Sequence, residues 1–202
     1  MSDTPRLLSL AAAALEAGVT LLQYRDKCSA MPEKLVRARA LLALCHQHGA
    51  KLIVNDDVVL AVVCGADGVH LGVEDGSVRD ARRLLPPTTI IGASCYNDLA
   101  LAQRAIRDGA SYVAFGACFD SPTKPAARRV TPTQLSEFRK MLGDAVAICG
   151  IGGITRDNMA QLEGHVDAVA LISELFGTAE SPASPAHVRE RVRQLFAEPL
   201  AI

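Results

Sequence analysis

The sequence predicts an α/β fold, a parallel barrel of the (β/α)8 type, on three observations. Short apolar runs rich in β-branched residues alternate with amphipathic segments of helical length, which favours a parallel sheet. Most of these runs end in a polar or glycine cluster, and such barrels carry their chemistry at the carboxyl ends of their strands. A weak internal repeat accompanies the alternation. The length suits one domain, residues 1–202.

Seven strands are predicted, one fewer than the barrel needs. They are residues 19–24, 51–54, 67–71, 89–93, 112–116, 145–149 and 168–172. A strand should also precede the first helix, and the segment Met1–Thr4 is too short and polar to form one. We therefore expect the first strand to be missing from this chain, through a late start or a true loss, which would leave two sheet edges exposed.

Eight helices are predicted around these strands. They are Pro5–Ala17, Pro32–His48, Val58–Cys64, Ser77–Leu85, Asp98–Asp108, Pro132–Met141, Arg156–Leu162 and Pro185–Phe196. Several begin with capping signals, among them Asp98, Thr131 and the pair Thr155 and Asn158.

The internal repeat joins the end of a helix to the start of a strand. Its copies cover residues 16–19, 64–69, 108–113 and, more loosely, 164–169. They fall two strand–helix units apart, which suits a barrel in which alternate strands share one layer of the interior.

Composition excludes several classes of partner. The formal net charge is −1, from 21 basic and 22 acidic residues, which argues against a general nucleic-acid or membrane-surface binder. No apolar stretch approaches the roughly 18 residues of a membrane span. Aromatic residues make up only 4% of the chain, too few for a base-stacking platform. We expect small-molecule partners, no nucleic acid and no membrane, and leave the oligomeric state open.

The six cysteines are widely spread and form no C-x-x-C pair. This pattern favours free thiols in a reducing compartment, so we expect a cytoplasmic protein. The spacing favours neither a zinc site nor a catalytic cysteine.

The end of the first strand presents two cations and an amide. Gln23, Arg25 and Lys27 occupy alternate positions, so their side chains can point the same way. Such a set suits a phosphate or pyrophosphate group. An ordinary solvated charged loop is the alternative.

Carboxylates follow the next two strands. Asn55, Asp56 and Asp57 come directly after the second strand, and Asp75 follows the third. Two carboxylates at neighbouring strand ends could share a Mg²⁺ ion, which commonly uses one or two carboxylates together with substrate phosphate oxygens. Helix and loop capping by the same aspartates is the alternative.

Two later regions predict a second anion site. Ser121, Thr123 and Lys124 lie in a long loop and could clamp a phosphate. The glycine-rich segment 150–155 follows the sixth strand, and Ile172-Ser173 ends the last one. A glycine turn and a backbone nest at the last two strands form the usual phosphate site of such barrels.

No side-chain arrangement for nucleophilic catalysis emerges from the sequence. His70 lies inside a strand, where a histidine more often supports the core than catalyses. Two anion sites with a metal between them describe an enzyme that joins two phosphorylated substrates. Departure of pyrophosphate requires charge stabilisation more than a general base.

Taken in order, the motifs resemble the thiamine-phosphate synthase (thiamine phosphate pyrophosphorylase) family. The resemblance runs from about Ala11 to Ser173. Its motifs are Gln23-x-Arg25-x-Lys27, Asn55-Asp56, residues 66–72 with Asp75, Gly92-x-Ser94, Ser121-x-Thr123-Lys124 and Gly152-Gly153-Ile154. Each is weak alone, and six in one order are specific.

The resemblance implies a TIM barrel and a transferase. The reaction it implies joins 4-amino-2-methyl-5-hydroxymethylpyrimidine diphosphate to a thiazole phosphate, carboxylated or not, giving thiamine phosphate and pyrophosphate. It implies a dissociative mechanism assisted by one Mg²⁺ per site, with Arg25, Lys27, Ser94 and Lys124 as the catalytic residues.

The resemblance also assigns the binding residues. The pyrimidine diphosphate contacts are Gln23, Arg25, Lys27, Asn55, Ser94 and Lys124. The magnesium ligands are Asp56 and Asp75. The thiazole phosphate contacts are Ser121, Thr123, Gly153, Ile172 and Ser173. Ser121 stands where the family often has Thr, which keeps the hydroxyl.

Two other readings stay open. A barrel of the thiazole tautomerase type should lack the diphosphate cations and offer a histidine as acid or base near the heterocycle. A non-catalytic phosphate-ligand-binding barrel is supported only by the expected loss of the first strand.

Overall fold

The structure is a computed structural model that describes residues 3–120, 129–178 and 180–197. Its packing forms two compact units. The first unit contains described residues 3–70, 175–178 and 180–197, and the second contains 71–120 and 129–174. Both units alternate helices with parallel strands.

The first unit begins with α1 (Thr4–Glu16) and ends with α8 (Pro185–Ala197). Between them, in chain order, come β1 (Leu21–Tyr24), α2 (Met31–Gln47), β2 (Lys51–Asn55), α3 (Val58–Cys64) and β3 (Gly68–Leu71). β1 pairs with β2 and β2 with β3, both in parallel. Helix α1 packs against α2 and α8. The buried core includes Leu10, Leu41, Leu52, Ile53 and Val188.

The second unit contains four strands that pair in parallel in chain order. Its elements are α4 (Val78–Leu84), β4 (Ile90–Tyr96), α5 (Leu99–Arg107), β5 (Tyr112–Phe115), α6 (Pro132–Leu142), β6 (Ala147–Ile151), a 3-10 helix (Met159–Leu162) and β7 (Ala168–Ala170). The short helix α7 (Ser173–Phe176) follows β7. In the core, the rings of Phe115 and Phe138 lie 4.9 Å apart between centroids.

The seven predicted strands are all present, and each pairs in parallel with at least one neighbouring strand. The α/β class is therefore confirmed. Seven strands occur within the described residues, as counted from the sequence, and the chain reaches β1 through α1. The missing first strand stays a prediction.

The helix predicted over Arg156–Leu162 is wrong in type and extent. Only a 3-10 helix over Met159–Leu162 forms there. The Asn158 side chain accepts a hydrogen bond from the Thr155 N–H and donates one to the Gly153 carbonyl. Because Asn158 folds back on the preceding turn, it stabilises that turn instead of opening an α-helix.

The last strand is also shorter than predicted. β7 ends at Ala170, and Ser173 opens α7, which the sequence analysis did not predict. The four residues of α7 are too few for helical periodicity to reveal.

The predicted capping residues are confirmed at two helices. The Asp98 carboxylate accepts hydrogen bonds from the N–H groups of Ala100 and Leu101. Thr131 and Gln134 form a reciprocal capping box at the start of α6.

The internal repeat has a structural explanation at the amino ends of the strands. In three copies, a polar side chain accepts a hydrogen bond from the N–H of the second residue of the preceding strand. The pairs are Asp67 with Leu52 at 2.8 Å, Ser111 with Ile91 at 3.1 Å and Asp167 with Ile148 at 2.7 Å. The repeat therefore stabilises strand starts.

No helix of the described residues is long and apolar enough to cross a bilayer.

Candidate functional site

Side chains at the end of β1 alternate between exposed and buried positions. Gln23, Arg25 and Lys27 are exposed, while Tyr24 between them is buried. This alternation agrees with the prediction that the amide and the two cations share one side of the strand end. It leaves two positive charges facing solvent, where an anion can reach them.

A buried cluster supports this strand end. Asp26 lies between the two cations in sequence, and its carboxylate accepts hydrogen bonds from the N–H groups of Cys28 and Ser29, each at 3.0 Å. The guanidinium of Arg37, from α2, donates to the same carboxylate at 2.9 Å. Burial opposes ionisation of Asp26, but these hydrogen bonds outweigh it and hold the pKa of Asp26 well below its usual range.

The two aspartates after β2 have different roles. The Asp57 carboxylate caps α3 by accepting the N–H of Leu60 at 2.8 Å, which confirms the capping interpretation for that residue. Asp56 forms an ion pair with Lys27 at 3.0 Å between Oδ2 and Nζ. Its φ of 67° places it in the left-handed region, which residues other than glycine enter at some cost. The structure thus brings two predicted site residues, Lys27 and Asp56, into contact.

His70 is buried beside this pair of strand ends. Its carbonyl accepts the N–H of Asp56 at 2.7 Å. Burial lowers the pKa of His70 to about 4, although the charge of Asp56 acts in the opposite direction. His70 is therefore neutral near pH 7, in agreement with a supporting role.

In the second unit, Asp75 follows β3 as predicted, whereas Ser94 lies inside β4, which continues to Tyr96 instead of ending before Ser94. The N–H of Asp75 donates to the Gly72 carbonyl at 3.1 Å, which closes a turn after β3. The Asp75 carboxylate folds back over Gly72, where a Cβ atom would collide with it. Ser94 is half-buried in β4 and lies opposite Ala114 of β5.

Sequence reasoning missed Tyr96. This residue ends β4 beside an irregularity in the pairing with β5, has a φ of 52° and leaves 51% of its surface exposed. A bulky residue in the left-handed region is uncommon and concentrates at functional sites. No signal in the sequence reveals a backbone angle of this kind at a tyrosine.

The glycine turn after β6 is tightly enclosed. Gly152 and Gly153 have φ values of 97° and 65°. A Cβ atom at Gly153 would collide with the carbonyl oxygens of Phe119 and Asp120. Only glycine fits there, because any side chain would collide with the backbone of the segment after β5.

The remaining predicted phosphate residues divide into two groups. Ile172 and Ser173 are exposed directly after β7, at the start of α7. Ser121, Thr123 and Lys124 lie outside the described residues.

Burial governs the state of most of the cysteines. All six are free. Burial raises the pKa of the Cys45 and Cys118 thiols to about 11 and of the Cys95 and Cys149 thiols to about 12, so they stay protonated. Over residues 3–120, 129–178 and 180–197, no group of three or more His, Cys, Asp or Glu side chains could hold a metal ion.

Relatives of known identity share most of the chain. The thiamine-phosphate synthase of Thiobacillus denitrificans is 47% identical over 175 residues, which cover 86% of this chain and 82% of that protein. The thiamine-phosphate synthase of Methylobacillus flagellatus is 47% identical over 183 residues, 90% of this chain and 86% of that one.

A solved structure agrees with these relatives. The thiamine phosphate pyrophosphorylase from Pyrococcus furiosus superposes with a TM-score of 0.82 at 30% identity, covering 94% of this chain and 87% of that chain. The profile of the thiamine monophosphate synthase family (TMP-TENI) matches residues 1–175. With the order of motifs predicted from the sequence, these matches show that the chain belongs to the thiamine monophosphate synthase family.

Proposed function

We propose that this chain is a transferase that makes thiamine phosphate from 4-amino-2-methyl-5-hydroxymethylpyrimidine diphosphate and a thiazole phosphate, releasing pyrophosphate. The observation that carries the proposal is the contact between Lys27 and Asp56 beside the exposed Arg25. This arrangement combines cations that can bind a diphosphate with a carboxylate that can bind the metal counter-ion of the diphosphate. Relatives that share 47% of their aligned residues with this chain are thiamine-phosphate synthases.

The diphosphate is proposed to bind at the end of β1. Arg25 and Lys27 would form charge-assisted hydrogen bonds to its oxygens, which are stronger than neutral ones. Gln23, Asn55, Ser94 and Lys124 would complete the contacts, as the resemblance implies. Since two cations already lie at this strand end, they would stabilise the developing charge on the departing pyrophosphate.

Magnesium is proposed as the cofactor, with Asp56 and Asp75 as its ligands. The chemistry of Asp56 fits this ion, because a carboxylate is a hard oxygen donor and Asp57 already caps α3. Lys27 neutralises Asp56 at 3.0 Å, which marks the carboxylate as one that takes a cationic partner. When bound, Mg²⁺ would neutralise diphosphate charge and make the leaving group a better one.

The thiazole phosphate is proposed to bind at the glycine turn and the end of β7. The positive φ values of Gly152 and Gly153 support a backbone anion site, since successive backbone N–H groups in such turns form nests. Ile172 and Ser173 would contribute from the neighbouring strand end, and Ser121 and Thr123, which lie outside the described residues, would complete the contacts as the resemblance implies.

The mechanism is proposed to be dissociative. The bond between the pyrimidine methylene carbon and the diphosphate oxygen breaks, pyrophosphate leaves with the electron pair, and the thiazole nitrogen then bonds to the carbon. No proton has to be abstracted, so the step needs no general base.

A cytoplasmic location and a single barrel domain remain part of the proposal. Six free cysteines support the first, because disulfides are rare in reducing compartments. The alternative of a thiazole tautomerase gains no support from the described histidines. His46 pairs with Asp67 at the amino ends of the strands, and His187 contacts Ser184 at the start of α8.

The test is product formation by the purified protein with both substrates and Mg²⁺, followed by chromatography of thiamine phosphate and an enzymatic assay of pyrophosphate. We expect both products in equal amounts and none when the metal is chelated. A folded protein that binds the thiazole phosphate without turnover would instead support the non-catalytic barrel.

A further inference from the structure

A buried arginine lies directly behind the cationic strand end. Arg37 exposes 1% of its surface, although it carries a full charge. Its guanidinium donates to Thr4 Oγ1 at 2.9 Å, Asp26 Oδ2 at 2.9 Å and Ser29 Oγ at 2.8 Å, and pairs with Glu33. Arg37 therefore connects α1, α2 and the segment after β1 through one planar group.

The partner that matters most for the site is Asp26. Its carboxylate accepts hydrogen bonds from the Arg37 guanidinium, from the Tyr24 hydroxyl at 3.1 Å and from two backbone N–H groups. The two N–H groups belong to residues two and three positions ahead, so the carboxylate closes a tight turn of the Asx type. Lys27 lies inside that turn, and Arg25 immediately precedes it. The conformation of Asp26 thus sets the direction in which both cations leave the backbone.

The turn also determines where the ammonium group of Lys27 lies. Its ammonium group reaches Asp56 at 3.0 Å, although its side chain is 55% exposed. An exposed lysine gains little from a surface ion pair and has many rotamers to choose from. The fixed element is therefore the backbone beneath Lys27, which is held by Asp26 and Arg37.

Stability alone does not explain this cluster. Burying an ion pair costs desolvation energy, and apolar replacements of such pairs are often neutral or stabilising. Arginine suits positioning because its rigid fork serves several acceptors at once, which a lysine ammonium on a flexible stem does not. Because the cluster holds Asp26 before Lys27 and the backbone of Cys28 and Ser29 after it, it can fix the geometry of that segment.

We propose that Arg37 and Asp26 are positioning residues that hold the segment 25–28 in one conformation, so that Arg25 and Lys27 meet a diphosphate without rearrangement. The inference rests on the proposed function for the identity of that anion. It adds two residues that touch no substrate but determine diphosphate affinity through those that do.

The test compares Arg37→Gln, Arg37→Lys, Asp26→Asn and Tyr24→Phe with the wild-type protein. A matched control is Arg82→Gln, because Arg82 also serves a structural cluster, donating to the carbonyls of Thr89 and Gly109 at 2.8 and 2.9 Å in the second unit. For each, KM for the pyrimidine diphosphate, KM for the thiazole phosphate, the inhibition constant of inorganic pyrophosphate and the melting temperature are measured.

We expect Arg37→Gln and Asp26→Asn to raise KM for the diphosphate and the pyrophosphate inhibition constant by about 10- to 100-fold, the cost of a small misplacement of binding groups. KM for the thiazole phosphate should not change. Arg37→Lys should recover only part of the loss, because the charge returns without the fork, and Tyr24→Phe should show the smallest effect. Arg82→Gln should lower the melting temperature and leave both KM values unchanged.

Unchanged diphosphate and pyrophosphate affinity in folded Arg37→Gln and Asp26→Asn proteins would overturn the inference. An equal rise in both KM values, or the same pattern in Arg82→Gln, would also overturn it. If Arg37→Gln does not fold, Asp26→Asn and Tyr24→Phe decide. If the wild-type protein makes no thiamine phosphate, the proposed function fails, and the inference is judged on pyrophosphate binding by calorimetry.

Discussion

The two ends of the parallel strands differ in how their polar side chains are used. At the amino ends, Asp67 and Asp167 each accept the N–H of a neighbouring strand and pair with a basic side chain. At the carboxyl ends, Gln23, Arg25 and Lys27 are exposed at successive alternate positions. Polar side chains at the amino ends form hydrogen bonds within the fold, while those at the carboxyl ends leave charged groups exposed to a ligand.

The backbone shows the same difference. The two residues other than glycine with positive φ, Asp56 and Tyr96 among the described residues, both follow or end a strand at its carboxyl side. Unfavourable backbone angles cost free energy and persist where function selects them. Polarity alone therefore does not mark a site, whereas exposed cations and costly backbone angles both occur at the carboxyl ends.

Removing a cation from the carboxyl end should produce the largest effect. Arg25→Ala and Lys27→Ala should each lower kcat/KM by about 10- to 100-fold, from the loss of one charged hydrogen bond of about 1.5–3 kcal/mol. The free energy of unfolding should change by less than about 1 kcal/mol, because these side chains are exposed. Steady-state kinetics and urea denaturation measure both quantities, and unchanged turnover would remove these residues from the site.

The amino end should show the opposite pattern. Asp67→Ala should destabilise the protein by about 1–3 kcal/mol, because the Leu52 N–H loses its acceptor, and should leave kcat/KM unchanged. Denaturation at pH 7 measures the loss. A variant of full stability would show that the repeat has no structural role at this position.

The free energy of unfolding at acidic pH gives a second test of the role of Asp67. Despite partial burial, hydrogen bonds from Leu52 and Lys51 lower the pKa of Asp67, and Ile148 and Arg139 do the same for Asp167. A carboxylate with a lowered pKa in the folded state contributes stability above its unfolded value of about 3.9 and loses it as the pH falls through the folded value. Stability of the wild-type protein should therefore fall below about pH 4, and less steeply in Asp67→Ala.

Substitution of Tyr96 tests the free-energy cost of its backbone angle and should give the smallest effect of these predictions. Tyr96→Gly and Tyr96→Ala both remove the ring, but only glycine adopts a φ of 52° freely. The glycine variant should be more stable than the alanine variant by about 1 kcal/mol. Equal stability in thermal denaturation would mean that the chain relaxes this angle at no cost.

The sequence predicted the strands and most helices because their apolar periodicity and capping residues are local. Asp98 and Thr131 were found as caps for the same reason. The 3-10 segment at 159–162 was mispredicted because Asn158 bonds backward to the turn, a choice that local pattern does not reveal.

The candidate site was predicted less completely. Arg25 and Lys27 were predicted because cations at alternate positions after an apolar run suit a phosphate group. Arg37 lies in a helix whose sequence is typical of a charged amphipathic helix. Its burial and its contact with Asp26 depend on tertiary packing, which the local sequence does not reveal. The angle at Tyr96 likewise follows from the pairing irregularity of β4.

We propose that the carboxyl ends of the strands act on a diphosphate, while the amino ends only stabilise the fold. The most direct measurement is thiamine phosphate formation at varied pyrimidine diphosphate concentration by the wild-type, Lys27→Ala and Asp67→Ala proteins, each with its unfolding free energy. We expect Lys27→Ala to lose catalytic efficiency at full stability and Asp67→Ala to lose stability at full catalytic efficiency. Full efficiency in Lys27→Ala, or a loss of efficiency in folded Asp67→Ala, would contradict it.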